Sequence, residues 1–255
     1  RRRGSGIAAH GWPSLASLAW FAVAIYVGLA VVLFVVYPIL LRTNGLKISS
    51  YFRGAWPAIQ LAFVSRSSIG TLPVTQRVTE RNLGVPSEYA SFAVPLAATT
   101  KMDGCASIYP AISAIFVAQI FGIDLSITDY LLIAFVSVVG SAATAGLTGA
   151  IVMLTLTLST VGLPLAGVGL LLAIDPILDM GRTAVNVAGQ ALVPTIVAKR
   201  EGILDLEQYE AATAEDLFVD EDDDASSETT TESPAPAEAA EATPSGTKER
   251  VGASA

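Results

Sequence analysis

No residue between Gly11 and Leu41 carries a formal charge, and none does between Asp129 and Asp175. Apolar runs of that length need a solvent of their own. The stretch Ser14–Leu41, SLASLAWFAVAIYVGLAVVLFVVYPILL, is long enough to cross a bilayer with tilt. Over all 255 residues, 52% are hydrophobic and only 15% charged, too few charges for a soluble domain of this size. The net charge of −8 hides a division. Residues 1–200 hold 7 acidic against 13 basic side chains, whereas residues 201–255 hold 16 acidic and 2 basic. The reading is an all-α membrane body with basic flanks and an acidic tail.

Inside that body one stretch breaks the rule of apolarity. In DPILDMGRTAVNVAGQ, placed on a helix, Asp175, Asp179, Arg182, Thr183, Asn186 and Gln190 share one arc about 100° wide. Carboxylates and a guanidinium at bilayer depth cost several kcal/mol unless paired or wetted. Six polar groups exceed what one orienting ion pair needs, so the stripe is read as a binding site.

The chain divides accordingly. Residues 1–13 are a boundary segment, and the chain is expected to be a piece of a longer protein. Residues 14–46 form a transmembrane helix ending near Arg42, Lys47 and Arg53, which marks a cytoplasmic end. In 47–163, two arms too short to span flank the polar tip SRSSIG, a pattern expected of a re-entrant hairpin. A span broken around Gly104 in TTKMDGCAS follows, then a second hairpin with its tip in SAATAGLTGA. Residues 164–200 carry the polar stripe and leave through Lys199 and Arg200, cytoplasmic by charge. Residues 201–255 are expected to be a disordered acidic cytoplasmic tail. Hairpin and polar span, repeated from opposite faces, is the inverted-repeat pattern of secondary transporters.

The single cysteine, Cys105, excludes an internal disulfide. No nucleotide loop, metal-spaced Cys/His set or nucleic-acid surface is present. An intramembrane aspartyl protease is disfavoured, because Asp103 and Asp179 sit in KMDG and LDMGRT, and Arg182 one turn away keeps Asp179 ionised.

Taken together, SRSSIGTLPVT, KMDG, TAGLTG and DPILDMGRTAVNVAG resemble the C-terminal half of the glutamate/aspartate transporter family, the dicarboxylate/amino acid:cation symporters. The resemblance covers roughly residues 14–199, from the sixth helix onward. It implies a glutamate-transporter-like core without its N-terminal scaffold helices, a homotrimer in the plasma membrane, and symport of acidic amino acids. By resemblance, Arg182 pairs with the distal carboxylate of the substrate, as a planar fork does well. Asp179 receives its amino group, and Thr183 and Asn186 complete the contacts, with Asn186 on the α-carboxylate. Ser67 and Ser68 at the first tip, Cys105, and Gly146 in the second tip (Ala145–Gly149, the gate) border the same site. Lys101, Met102, Asp103, Asn186 and Gln190 fall on ion-coupling positions, with a weak sodium site near Met102.

Departures from the family pattern carry an expectation of their own. Lys101 stands where the family has asparagine, Gln190 where it has aspartate, Cys105 where it has threonine and Ile69 where it has a third serine. The first adds one positive charge and the second removes one negative, a net change of +2. Lys101, paired with Asp103 or Asp175, is therefore expected to replace at least one sodium ion, or by losing and regaining its proton to carry a coupling proton. No cofactor is expected beyond sodium or a proton as coupling ion. A proton-coupled C4-dicarboxylate transporter and a non-transporting receptor or scaffold of the same fold are the alternatives.

Overall fold

In a computed structural model, residues 6–141 and 149–211 are described, with side chains over 16–140 and 150–211. The described residues are helical and contain no strand. Helix α1 (Gly6–Val31) runs through a π-helical turn at Val32–Val36 into α2 (Tyr37–Thr43). Helices α3 (Ile48–Ser65) and α4 (Ser68–Arg77) pack on each other. A second π turn, Val78–Asn82, closes α4. Helix α5 (Ser87–Thr100), a third π turn (Asp103–Ile108) and α6 (Tyr109–Ile120) follow. Helices α7 (Ile127–Ser141) and α8 (Gly149–Thr160) pack together, with most of the expected second tip, Gly146 included, lying outside the described residues. The described part ends with α9 (Ala166–Leu172), α10 (Asp175–Arg200) and α11 (Leu206–Ala211).

The burial pattern is that of a protein solvated by hydrocarbon. Arg182, Asn186, Gln190 and Thr195 are fully buried, while Trp20, Val27, Phe34, Phe92, Leu131 and Phe135 are exposed. Water as the only solvent would reverse this sorting. Ala16–Thr43 is 28 residues long, about 42 Å of helix against a core about 30 Å thick. Helix α10 is the hub: α1, α3, α4, α5 and the third π turn all pack on it.

Two π turns have a common local cause. Each precedes a Tyr-Pro pair, Tyr37-Pro38 or Tyr109-Pro110. Proline brings no N–H for the carbonyl four residues back and crowds it, so the helix widens just before it. The break in the second span lies at Lys101 and Met102 (φ −102° and −125°), not centred on Gly104 as the sequence suggests. Gly104 instead sits against α10.

Residues 201–211 correct the expected start of the disordered tail. Tyr209 is buried and donates to Lys47 O at 2.8 Å, Asp205 N–H donates to Gly84 O at 2.9 Å, and Lys47 pairs with Glu210 at 2.6 Å. One aromatic anchor with these bonds outweighs the ordering entropy that acidity alone leaves unopposed. Burial also pushes the Tyr209 phenol above its ordinary pKa. Tyr209→Ala is expected to destabilise the docked segment by about 3–5 kcal/mol. Hydrogen exchange should then accelerate across 201–211 while α10 stays protected.

Candidate functional site

Arg182 lies about two turns into α10, fully buried, with its guanidinium carbon 3.9 Å from the centroid of the Tyr109 ring. Its Nη2 donates to Asp175 Oδ1 at 2.8 Å and to Asp179 Oδ1 at 3.0 Å. Spacings of seven and three residues put both carboxylates one or two turns above the arginine on one face. The carboxylates are not sealed in, since the side chains of Asp175 and Asp179 are 21% and 26% exposed. Arg182 Nε and Nη1 have no hydrogen-bond partner among the described residues. A buried cation with unused donors, joined to part-exposed carboxylates, can exchange an internal partner for an incoming one.

The third π turn brings the KMDG segment to this cluster. Asn186 Oδ1 accepts from Gly104 N–H at 2.8 Å and from Cys105 N–H at 3.4 Å, which tethers the turn to α10. Among the described residues, Asn186 Nδ2 is left as a buried donor without a hydrogen-bond partner. The Cys105 thiol lies 3.8 Å from Asp179 Oδ1 and donates to it. Thr183, nearly fully buried, lies beside Arg182 on the same helix. Arg182, Asp179, Asn186 and Cys105 are thus brought together around Asp175 and Tyr109.

A second cluster forms at the break. Lys101 Nζ pairs with Asp103 Oδ2, and Tyr37 Oη donates to the same oxygen at 2.7 Å. The Lys101 ammonium also lies 5.4 Å from the centroid of the Tyr37 ring. Of the two partners expected for Lys101, Asp103 is the one found, because Asp175 is taken by Arg182. Gln190 Nε2 donates to Lys101 O at 3.3 Å. Met102 is buried with Cys105, Ala106 and Met153, at the side of α8.

Ser67 and Ser68 organise the tip between α3 and α4. Arg66, with φ 56° and ψ 30°, ends α3, and Ser67 caps α4 by accepting from Gly70 N–H at 2.9 Å. Ser68 is buried in the first turn of α4. No hydrogen bond joins either serine to the α10 clusters among the described residues. Tyr37 and Tyr109 escape the sequence reading because each sits inside an apolar span. The Tyr-Pro pair inside an apolar span is the signal that marks them.

The chain matches the model of the Sodium:dicarboxylate symporter family over residues 5–200. It is 38% identical over 198 residues to the L-cystine uptake protein TcyP of Shouchella clausii, a match covering 77% of this chain and 42% of that protein. To an uncharacterized symporter of Haemophilus influenzae it is 40% identical over 187 residues, covering 72% and 42%. To TcyP of Bacillus licheniformis it is 36% identical over 211 residues, covering 81% and 45%. The chain therefore spans less than half the length of the curated relatives it matches.

Proposed function

Because the chain belongs to the sodium:dicarboxylate symporter family, we propose that it carries the substrate-binding core of a plasma-membrane symporter for acidic amino acids, aspartate or glutamate. The observation that carries this reading is Arg182: buried, bonded through one nitrogen to two part-exposed carboxylates, with donors to spare. An acidic amino acid offers a carboxylate to Arg182 and an ammonium to Asp179. The internal Arg182–Asp179 pair is exchanged for two pairs with the substrate, while Asp175 keeps its bond to Arg182 and the α-carboxylate takes a neutral donor rather than a cation. In this reading the α-carboxylate takes a hydrogen bond from Asn186 Nδ2, a buried donor without a hydrogen-bond partner among the described residues, which supports the role. A C4-dicarboxylate brings no ammonium and would leave Asp179 without a substrate partner.

Helix lengths support the hairpin reading. At 10 residues α4 is about 15 Å long, and α8 at 12 residues about 18 Å, so neither crosses about 30 Å of hydrocarbon. Arg200 Nε donates to Asn44 Oδ1 at 2.6 Å, which joins the two basic flanks on one side and supports a cytoplasmic C-terminal end. The homotrimer is carried over from the family resemblance as part of the same proposal.

L-cystine is the second reading, favoured by the TcyP relatives, which are L-cystine uptake proteins. Cystine also presents a distal carboxylate to Arg182 and an ammonium to Asp179. Competition against uptake of labelled L-aspartate into proteoliposomes tests both. L-Glutamate is expected to compete at least 10-fold better than succinate, a difference of about 1.4 kcal/mol for the Asp179 contact. Cystine competing more strongly than glutamate would move the assignment to cystine, and alanine competing equally well would overturn both. Binding of these solutes without flux would indicate a receptor.

A further inference from the structure

We propose that the Lys101 ammonium is the resident counter-cation of Asp103, so that no free monovalent cation binds at that carboxylate. The inference rests on the transport reading above, and it specifies which part of the coupling machinery the chain supplies itself.

The geometry is built around the lysine. Asp103 opens the third π turn directly after the break, and a single oxygen of its carboxylate takes both the Lys101 ammonium and the Tyr37 hydroxyl proton. The lysine stem lies along α10 at Gly189. A Cβ added there would stand 3.3 Å from Lys101 Cγ and 2.5 Å from Tyr37 Oη, so the absence of a side chain makes the groove for the stem. The ring of Tyr37 lies beside the ammonium. Gln190 reaches the same break through Nε2, while its Oε1 is buried without a hydrogen-bond partner among the described residues.

Charge explains what the lysine does. The described spans place three carboxylates, Asp103, Asp175 and Asp179, near two cationic side chains, Lys101 and Arg182, a net of one negative charge. Arg182 serves Asp175 and Asp179, which leaves Asp103 to Lys101 alone. Removing the ammonium would strand a carboxylate at bilayer depth. What remained would be an all-oxygen set: Asp103, Tyr37 Oη, the carbonyl of residue 101 and Gln190 Oε1. Hard cations take such ligands. The lysine thus fills a position that sodium would otherwise take.

The test is thermal unfolding of the purified protein in sodium chloride against choline chloride at equal ionic strength, with no substrate present. Lys101→Met is expected to gain a sodium-dependent rise in Tm on the order of 5–10 °C beyond that of the wild type. Lys101→Arg should follow the wild type, and Lys101→Met combined with Asp103→Asn should lose the gain. A Lys101→Met response no larger than the wild type's, or a gain that survives Asp103→Asn, would overturn the proposal. Should Lys101→Met yield no folded protein, Asp103→Asn alone decides. A wild-type sodium response that disappears in this variant means sodium already sits at Asp103, and an unchanged response supports the lysine. Because the measurement uses no substrate, failure of uptake for every amino acid would sink the transport reading and leave this result standing.

Discussion

Arg182→Ala is expected to abolish uptake, by at least 100-fold, and to destabilise the protein by about 3–5 kcal/mol. The two losses have one origin. The guanidinium bonds to Asp175 at 2.8 Å and Asp179 at 3.0 Å, so its removal leaves both carboxylates without a cation and the distal carboxylate of a substrate without a partner. Arg182→Lys separates the contributions. It keeps the charge and most of the stability, but a lysine has neither the planar fork nor the guanidinium stacked on Tyr109 at 3.9 Å. Its uptake should therefore fall far more than its Tm. Uptake by Arg182→Lys within 2-fold of wild type would show that the fork is not used, a difference under about 0.4 kcal/mol.

Gly104→Ala should be nearly as damaging although it adds only one methyl group. A Cβ at this position would stand 2.5 Å from Arg182 O and 2.7 Å from Arg182 Cα, all backbone atoms that cannot swing aside. Either the π turn lifts off α10, breaking the Gly104 N–H bond to Asn186, or α10 shifts and carries Arg182 with it. Overpacking of this kind costs about 1–3 kcal/mol. A displacement of about 1 Å in a positioned site lowers rates about 100-fold. Gly169→Ala is the control, because nothing lies within 4 Å of its added methyl. It should leave both Tm and uptake close to wild type, and equal damage from the two substitutions would refute the close-approach argument.

How far the residues alone disclose this arrangement depends on whether spacing or contact decides it. The arc from Asp175 to Gln190 is legible because helical period is a property of the chain, and Arg182, Asn186 and Gln190 are indeed fully buried. Partner choice is not legible in the same way. Lys101 could meet Asp103 or Asp175 on spacing, and only the packing of the third π turn on α10 assigns Asp175 to Arg182 and Asp103 to Lys101. The break near KMDG is visible in composition, but its position at Lys101 and Met102 follows from the Asn186 bonds that draw Gly104 and Cys105 into the next turn. Tyr37 and Tyr109 are hidden by their apolar neighbours. Acidic composition likewise hides the docking of residues 201–211, where one buried tyrosine outweighs the charges around it.

The central proposition is that ionised groups lie within the spans because a charged amino acid meets them there. Equilibrium binding of labelled L-aspartate and L-cystine to purified wild-type and Arg182→Lys protein tests it most directly. Saturable binding of at least one of the two to the wild type, weakened about 100-fold by Arg182→Lys, is the expected result. Arg182→Lys protein that binds the same solute with unchanged affinity, or wild-type protein that binds neither, would contradict it.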